Sequence, residues 1–236
     1  DFLNETFLGF SYLIPDTSDD KKHQTYASSV FRNINNQGVP LVPLESRASL
    51  YFLDKDLKDF FNPIFFRDFV DNKAGSADFV KYLSLLSQYR KDGNTNVLAR
   101  GYKSKMETFY EKYIYSVVDD DDSSEFVKMS SVFPDKKYTT KFESLKHNLK
   151  LLDLPKQYPS IIDMDIYFFG LIYQVLFEGR TIDESKVDEL KGNLNREIDI
   201  IKTDSSHTRS PNAFKYLKIR IEKSISIYKK YVIENT

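Results

Sequence analysis

The chain has 236 residues, of which 41% are hydrophobic and 15% aromatic, a composition that predicts folded domains and excludes a disordered tail. Its 34 Lys and Arg residues are balanced by 35 Asp and Glu residues, which argues against a strongly basic nucleic-acid binder and leaves room for a local basic patch. There is no Cys and there are three His, so disulfides, thiolate metal sites, cysteine nucleophiles and histidine-rich metal centres are excluded, and a cytoplasmic protein without a metal site is predicted.

The first part of the chain is predicted to form one strand and two helices. Residues 7–14 (FLGFSYLI) are apolar and aromatic and are followed by Pro15, a pattern typical of a short strand. Ser, Thr and Asp oxygens then precede a helix predicted over 20–34, whose open amide groups they can cap. A second helix should begin after Pro43, which suits a first helical turn, and continue through Leu53.

Helical periodicity dominates the remaining sequence. Glycine is scarce, at 8 residues, which suits a helical protein with few tight hairpins. Pro155 and Pro159 mark a boundary that predicts two helical lobes, 1–154 and 155–236, joined by a hinge. The expected fold is therefore all-α, a multi-helix bundle with at most one short N-terminal strand. Six further helices are predicted, over 76–90, 96–118, 138–154, 160–178, 183–203 and 211–234.

The most apolar segment, IIDMDIYFFGLIYQVLF at 161–177, is predicted to be a buried helix. It contains Asp163 and Asp165 and is too short to cross a bilayer comfortably, so no membrane association is expected. Two residues apart on a helix, these carboxylates point about 200° away from each other and cannot easily share a metal ion. We interpret them as caps at a helix start that follows Pro159.

Three other segments have a structural and a functional interpretation. The acidic run DDDD at 119–122 fits a solvated loop better than a cation site. The aromatic run FFNPIFF at 60–66 fits a core better than a base-stacking surface, because no Arg or Lys is interleaved. His207, in SSHTRSPN, lacks a nucleophile at a recognisable spacing and fits a loop that leads into the Pro211 helix start.

The last predicted helix combines an apolar stripe with a basic face. Phe214, Leu217, Ile221, Ile225, Tyr228 and Val232 recur at three- and four-residue spacing. The candidate nucleic-acid-binding residues, mostly on the other side, are Lys215, Lys218, Lys229 and Lys230. Glu222 interrupts this row, and an ordinary solvated helix face has the same composition.

A short polar turn joins the two N-terminal helices in VFRNINNQGVPLVPLESRASLYFL, residues 30–53. Gly38 adopts turn conformations at low cost, and Glu45 would lie near the start of the second helix, where the helix dipole favours a carboxylate. Arg32 and Arg47 flank this corner. By spacing alone, these charges fit either a buried ion pair that fixes the angle between the helices or an anion-binding corner.

The same stretch resembles the F-R-x-x-N-x-x-G-x-x-L-x-x-x-E-x-R signature of a large domain-of-unknown-function family of ParB-like proteins. GmrSD-type restriction enzymes and related phage-defence proteins belong to this family. Segments 98–114 and 210–232 also resemble later helical parts of the family, so the resemblance extends over most of the chain. The residues that match the signature are Phe31, Arg32, Asn35, Gly38, Leu41, Glu45 and Arg47.

Family members begin with a ParB/sulfiredoxin-like domain, whose D-G-Q-Q-R motif binds and hydrolyses nucleotides, and many end in an HNH nuclease domain. Neither motif occurs here, the chain begins at Asp1 without Met, and DFLNETF resembles the segment that follows D-G-Q-Q-R. The resemblance therefore implies a truncated or processed chain that lacks a catalytic motif of its own. Its implied partners are the missing N-terminal nucleotide domain, DNA, and an HNH nuclease domain or subunit.

The resemblance implies that the chain is the helical sensor and scaffold of a nucleotide-regulated, DNA-targeting restriction or phage-defence protein. The full-length parent would use a nucleoside triphosphate with Mg²⁺ as cofactor and would be an NTP-dependent endonuclease. The alternative is a non-enzymatic interaction module that binds DNA or protein through its C-terminal helices. The candidate nucleotide-binding residues are Arg32, Asn35, Gly38, Glu45 and Arg47, among which Glu45 would hold an arginine in place.

Overall fold

The computed structural model describes residues 14, 16, 18–37, 43–71, 75–121, 125–134 and 137–235, with backbone alone at 20–21, 32–37, 43–44, 70–71 and 75–76. The chain divides into two compact units, Asp1–Lys55 and Asp56–Thr236, which are called here the first and the second unit. Most of the described residues are helical, as the sequence predicts. The predicted N-terminal strand lies outside the described residues, apart from its last position.

In its described residues, the first unit contains two helices and a 3-10 turn. Helix α1 spans Asp20–Gln37, α2 spans Pro43–Ala48, and the 3-10 turn Ser49–Phe52 follows α2 directly. The Ser28 hydroxyl of α1 donates to the Ser49 carbonyl at 2.9 Å, which ties the middle of α1 to the end of α2. Both predicted helices are therefore present, and the second ends in a 3-10 turn.

The second unit is built from helices joined by short turns. After the 3-10 turn Lys55–Leu57, its helices are α3 (Lys58–Phe61), α4 (Ile64–Arg67), α5 (Phe79–Asp92), α6 (Met106–Asp119), α7 (Met129–Val132), α8 (Thr139–Leu152), α9 (Ile161–Ile172), α10 (Val187–Thr203), α11 (Ser205–Arg209) and α12 (Phe214–Tyr228). A π-helical turn, Tyr173–Phe177, extends α9, and a 3-10 turn, Glu184–Lys186, precedes α10.

Five short strands accompany these helices in the described part of the chain. Strands β1 (Val70–Asp71), β2 (Gly75–Ser76) and β3 (Gln157–Tyr158) form one sheet in the order β2-β1-β3, with β1 antiparallel to β2 and parallel to β3. Strands β4 (Arg180–Ile182) and β5 (Val232–Glu234) form an antiparallel pair. None of the five was predicted, because strands of two or three residues are too short to show a period-two pattern.

Helix α9 lies at the centre of the second unit, and its residues from Ile162 to Ile172 are all buried. Helices α5, α8, α10 and α12 pack around it. Helix α12 approaches α9 closely at Gly170, whose amide donates to the Ser224 hydroxyl at 2.6 Å. The Tyr228 hydroxyl adds a hydrogen bond of 2.8 Å to the carbonyl of Tyr167. A helix that is apolar all round is thus buried by its neighbours, as predicted for residues 161–177.

Aromatic rings form much of the remaining core. Phe60 stacks on Phe142 with ring centroids 5.7 Å apart, and Phe66 lies 5.0 Å from Phe168 of α9. Phe60, Phe61 and Phe66 are each no more than 1% exposed. The prediction that FFNPIFF belongs to the core is therefore confirmed for Phe60, Phe61 and Phe66, which have no exposed surface on which to stack bases, whereas Phe65 is half-buried.

Several helix boundaries differ from the predicted ones for local reasons. The helix predicted from residue 96 begins at Met106, because Ala99 and Gly101 adopt positive φ angles of 44° and 85°, which end a right-handed helix. The helix predicted up to residue 234 ends at Tyr228, because its last residues pair with β4 instead. The predicted lobe boundary at 154/155 remains a prediction, and the segment that carries it contributes β3 to the sheet with β1.

Candidate functional site

The predicted nucleotide-binding residues belong to the first unit. Arg32 and Asn35 lie in the second half of α1, where the structure gives the backbone alone, and Gly38 lies outside the described residues. Glu45 and Arg47 lie together in the short helix α2. The convergence of all five residues on one corner therefore stays a prediction.

Arg47 and Glu45 have very different surroundings. Arg47 is completely buried, and its Nε lies 3.4 Å from the Tyr51 hydroxyl, one helical turn further along the chain. Glu45 is exposed and lines a shallow, mostly apolar groove together with Phe31 and Phe52. Because Glu45 is exposed, Glu45 and Arg47 do not form an ion pair in which both residues are buried. The guanidinium of Arg47 is held in a fixed orientation inside the first unit, whereas Glu45 is an exposed residue.

The four lysines proposed from the last helix do not share one location. Lys215 and Lys218 lie in the first turns of α12, where each ammonium group stands over an aromatic ring: that of Lys215 is 4.4 Å from the ring centroid of Tyr216. Lys229 and Lys230 follow the last residue of α12, more than ten residues away. At 1.5 Å per residue the two pairs are about 20 Å apart along the helix axis, so they do not form a single patch.

A polar cluster is buried in the second unit, around Asp165 of α9. The Asp165 carboxylate is fully buried and receives hydrogen bonds from Lys81 Nζ at 2.7 Å, Arg220 Nε at 2.9 Å and the Tyr82 hydroxyl at 3.0 Å. The Lys81 side chain is 15% exposed, and the Arg220 side chain is 1% exposed. Two cations thus share one carboxylate in the interior, which we call the Asp165 cluster.

His207 completes this cluster from α11. Its Nε2 lies 2.8 Å from Arg220 Nη1, and its ring stacks on Tyr216 at 4.2 Å. Because arginine can only donate, Nε2 must accept, so the imidazole is neutral with its proton on Nδ1. Burial lowers the pKa of His207, and the nearby positive charge of Arg220 lowers it further. His207 is therefore a buried partner of Arg220 in helix α11. The interpretation from the sequence, which placed it in a loop, is wrong.

The charges of the cluster determine its ionisation. Burial raises the pKa of Asp165, but Lys81 and Arg220 outweigh that effect and hold the pKa below its usual value. Burial and the adjacent Asp165 raise the pKa of Tyr82 well above its usual value, so Tyr82 remains a neutral donor. With His207 neutral, the cluster carries two positive charges and one negative charge. This excess of one positive charge lies largely out of contact with water.

We expect the stability of the chain to fall as the pH is lowered below about 6.5, the pKa of histidine in an unfolded chain. The pKa of His207 is depressed in the native state, so the unfolded state takes up the proton at a higher pH than the native state does. As the pH falls below about 6.5, the free energy of unfolding therefore decreases, by no more than about 1.4 kcal/mol per pH unit. Besides Arg220, the charged groups that act on His207 are Asp204, Asp165 and Lys215.

Thermal unfolding between pH 7.5 and pH 5.5 measures this effect. His207→Gln should flatten the pH dependence, since glutamine can still accept from Arg220 but does not titrate. His147→Gln is the matched control, because His147 is exposed and lies 3.7 Å from Glu184. An unchanged pH dependence in His207→Gln would contradict the assignment.

A cavity of about 320 Å³ lies beside the Asp165 cluster. Residues from the first two turns of α5, α6, α9 and α12 line it, so the starts of all four helices lie around the same space. Lys81, Tyr82 and Arg220 line it from the cluster side. Its other lining residues are Ala77, Asp78, Lys103, Met106, Glu107, Tyr110, Ile161, Met164, Asn212, Phe214 and Leu217.

The two aspartates of α9 have separate roles. Asp163 lies in the first turn of the helix, as predicted, but caps no backbone amide of a described residue; it accepts hydrogen bonds from Ser160 Oγ at 2.5 Å and Lys202 Nζ at 2.6 Å. Asp165 does not cap the helix but forms the centre of the buried cluster. Two sequence signals could have revealed this: a carboxylate in an apolar helix, and Arg220 within the apolar stripe of α12. A buried charge in either place needs a partner of opposite charge.

No group of three or more His, Asp or Glu side chains is placed to bind a metal ion in the part of the chain that the structure describes. None of the described helices has both the length and the apolar character needed to cross a membrane. Comparisons of the chain with protein-family models, curated proteins and solved structures found no match.

Proposed function

We propose that the chain is the helical sensor and scaffold portion of a nucleotide-regulated, DNA-targeting restriction or phage-defence protein. In this proposal the turn of the first unit faces a ParB-like nucleotide domain, and the helices transmit its state to a DNA-cleaving partner. The proposal rests on the seven-residue signature between Phe31 and Arg47, since fixed residue types at fixed spacing rarely agree by chance.

Among the residues of the signature, Arg47 is the one whose surroundings the structure defines best. An arginine is a planar fork of donors that matches phosphate oxygens, and a guanidinium held in place by packing loses little freedom when it binds them. The short helix α2 places the exposed Glu45 two residues before it. Arg32 and Asn35, in the preceding helix, would supply further donors to the same ligand.

The test is thermal unfolding with a panel of nucleoside triphosphates and Mg²⁺, carried out on the chain and on Arg47→Ala. A ligand that binds the native state raises the midpoint of unfolding, by about 2.7 kcal/mol of added stability at a hundredfold excess over Kd. We expect one triphosphate to raise the midpoint of the parent chain and to leave that of Arg47→Ala unchanged. Tyr51→Phe, which removes the hydroxyl beside Arg47 and keeps the ring, is the matched control and should retain the response.

Two results would contradict this role. If Arg47→Ala lowers the midpoint by the same amount with and without nucleotide, and the nucleotide response persists, Arg47 only stabilises the corner between the helices. If no triphosphate shifts the midpoint of the parent chain, the turn by itself is not a nucleotide site.

A second candidate function is a non-enzymatic module that binds DNA or a protein partner. The observation that favours it is a group of cations near the start of α12, where Lys218 lies close to Lys103 and Arg100. Phosphate contacts of this kind make affinity fall steeply with salt. Binding of duplex DNA with such a salt dependence and without any nucleotide requirement would favour this function over the first.

A further inference from the structure

The cavity beside the Asp165 cluster has the electrostatics of an anion-binding site. The amino end of a helix carries about half a positive charge, and the starts of four helices lie around this one space. Only α5 has a side-chain cap there, because Asp78 accepts from the amide of Lys81 at 3.2 Å. At α6, α9 and α12 the capping residues Lys105, Ser160 and Ala213 make no side-chain hydrogen bond to the helix.

Two cations are held in place at the floor of the cavity. Arg220 uses Nε to contact Asp165 and Nη1 to contact His207, and its remaining nitrogen, Nη2, makes no hydrogen bond with any described residue. Lys81 uses one of its three donor hydrogens on Asp165 and is the more accessible of the two. The buried carboxylate thus fixes two donors that still have the capacity to bind an anion.

Further cations gather around Phe214, which lines the same cavity. Lys103 Nζ lies 5.9 Å and Lys218 Nζ 5.2 Å from the centroid of its ring. Lys103 and Arg100 form no ion pair with the residues that the structure describes, and Lys218 donates to the carbonyl of Asn96. Burial lowers the pKa of Lys218, and repulsion from Lys103 and Arg100 lowers it further. These like charges would be relieved by an anion between them.

The rest of the lining suits an organic group attached to that anion. Asp78 and Glu107 provide carboxylates, which accept hydrogen bonds from hydroxyl groups. Tyr110, Phe214 and Met106 provide flat or apolar walls. The volume is at the lower end of the range typical of small-molecule sites.

We propose that this cavity binds a phosphate ester of a hydroxyl-bearing small molecule, such as a sugar phosphate or a mononucleotide. The phosphate contacts Arg220 Nη2, Lys81 and Lys103 at the helix amino ends. The hydroxyl groups of the ester donate to Asp78 and Glu107. All the residues involved lie in the second unit, so the site is independent of the nucleotide role proposed for Arg47 in the first unit.

Calorimetric titration of the full chain without Mg²⁺ tests the proposal, with inorganic phosphate, ribose 5-phosphate, AMP and adenosine as probes. We expect ribose 5-phosphate or AMP to bind more tightly than inorganic phosphate, and adenosine not to bind. Lys103→Ala should weaken binding of the ester about tenfold or more, because it removes a charged donor at an exposed position without disturbing the core. Lys105→Ala is the matched control, since Lys105 is exposed and does not line the cavity.

The possible outcomes separate this site from the first unit and from a simple anion site. Binding that is unchanged in Lys105→Ala and Arg47→Ala but weakened in Lys103→Ala supports the proposal. Three results would overturn it: no phosphate compound binds; Lys103→Ala binds as well as the control; or inorganic phosphate binds as tightly as either ester. A loss of binding in Arg47→Ala would assign the ligand to the turn of the first unit instead, which would also overturn it.

Discussion

Replacing Asp165 by asparagine should destabilise the second unit by about 3–5 kcal/mol, because it leaves two buried cations without a counter-charge. The amide has nearly the same shape as the carboxylate, so the loss reports charge rather than packing. Most of this loss comes from Arg220, because it is almost completely buried and its Nε donates to Asp165. For a unit of this size we expect the midpoint of thermal unfolding to fall by roughly 10 °C.

Asp163→Asn is the matched control for this substitution. It lies two residues earlier on the same helix and also binds a lysine, but that lysine, Lys202, is 34% exposed. Pairs of this kind contribute up to about 1 kcal/mol, so the control should change the midpoint only slightly. Equal losses for the two variants would mean that the Asp165 cluster is held by packing and not by its charge.

The charge interpretation can also be tested in a double variant and by acid. Arg220→Met should cost less in an Asp165→Asn background than in the parent chain, because the uncompensated charge has already been created. The depressed pKa of Asp165 has a further consequence with a definite sign. The ionised Asp165 contributes fully to the free energy of unfolding above its unfolded-state pKa of about 3.9. This contribution is lost as the pH falls below that value towards the lower pKa of the native state. Asp165→Asn should show less acid destabilisation below pH 4.

Replacing Gly170 by alanine should destabilise the second unit by about 3 kcal/mol, the upper part of the usual range for an overpacked core. The added Cβ would lie 2.7 Å from the carbonyl carbon of Ser224 and would also meet the ring of Tyr228. Because the contact with Ser224 is with its backbone, Ser224 cannot move aside as a flexible side chain would. Helices α9 and α12 would have to separate, which would strain the hydrogen bond from the Gly170 amide to Ser224.

Gly192→Ala provides a control with the opposite expected sign. Gly192 lies in the middle of α10, and a Cβ added there would meet nothing within 4 Å. Alanine should therefore stabilise the helix by about 0.5–1 kcal/mol. Urea unfolding of both variants measures the two effects. A loss below about 1 kcal/mol in Gly170→Ala would contradict the close approach of the two helices.

Local sequence patterns predicted much of this fold. The stripe of Leu217, Ile221 and Ile225 is buried, as its spacing predicts, and Phe60, Phe61 and Phe66 of the aromatic run lie in the core. Both predictions depend on periodicity and composition, which a single segment carries by itself. The five short strands could not be predicted in the same way, because their partners are distant in sequence and their length is too small for a pattern.

The Asp165 cluster shows why the site was harder to predict than the fold. Asp165 lies 84 residues after Lys81 and 55 residues before Arg220 in the sequence. Taken alone, each of the three resembles an ordinary charged residue on a helix. The cavity beside them depends on the meeting of four helix starts, which is a property of packing. The turn of the first unit was prominent for the opposite reason, since its residues are contiguous.

The position of Arg220 also affects the order in which the chain can assemble during synthesis. Helix α9 leaves the ribosome 55 residues before the arginine that compensates Asp165, which is about 3–10 s at typical rates of translation. Until α12 emerges, the most apolar helix of the protein has neither its covering helix nor the second cation for its carboxylate. The nascent chain therefore passes through an interval in which association with a chaperone, or aggregation, competes with folding.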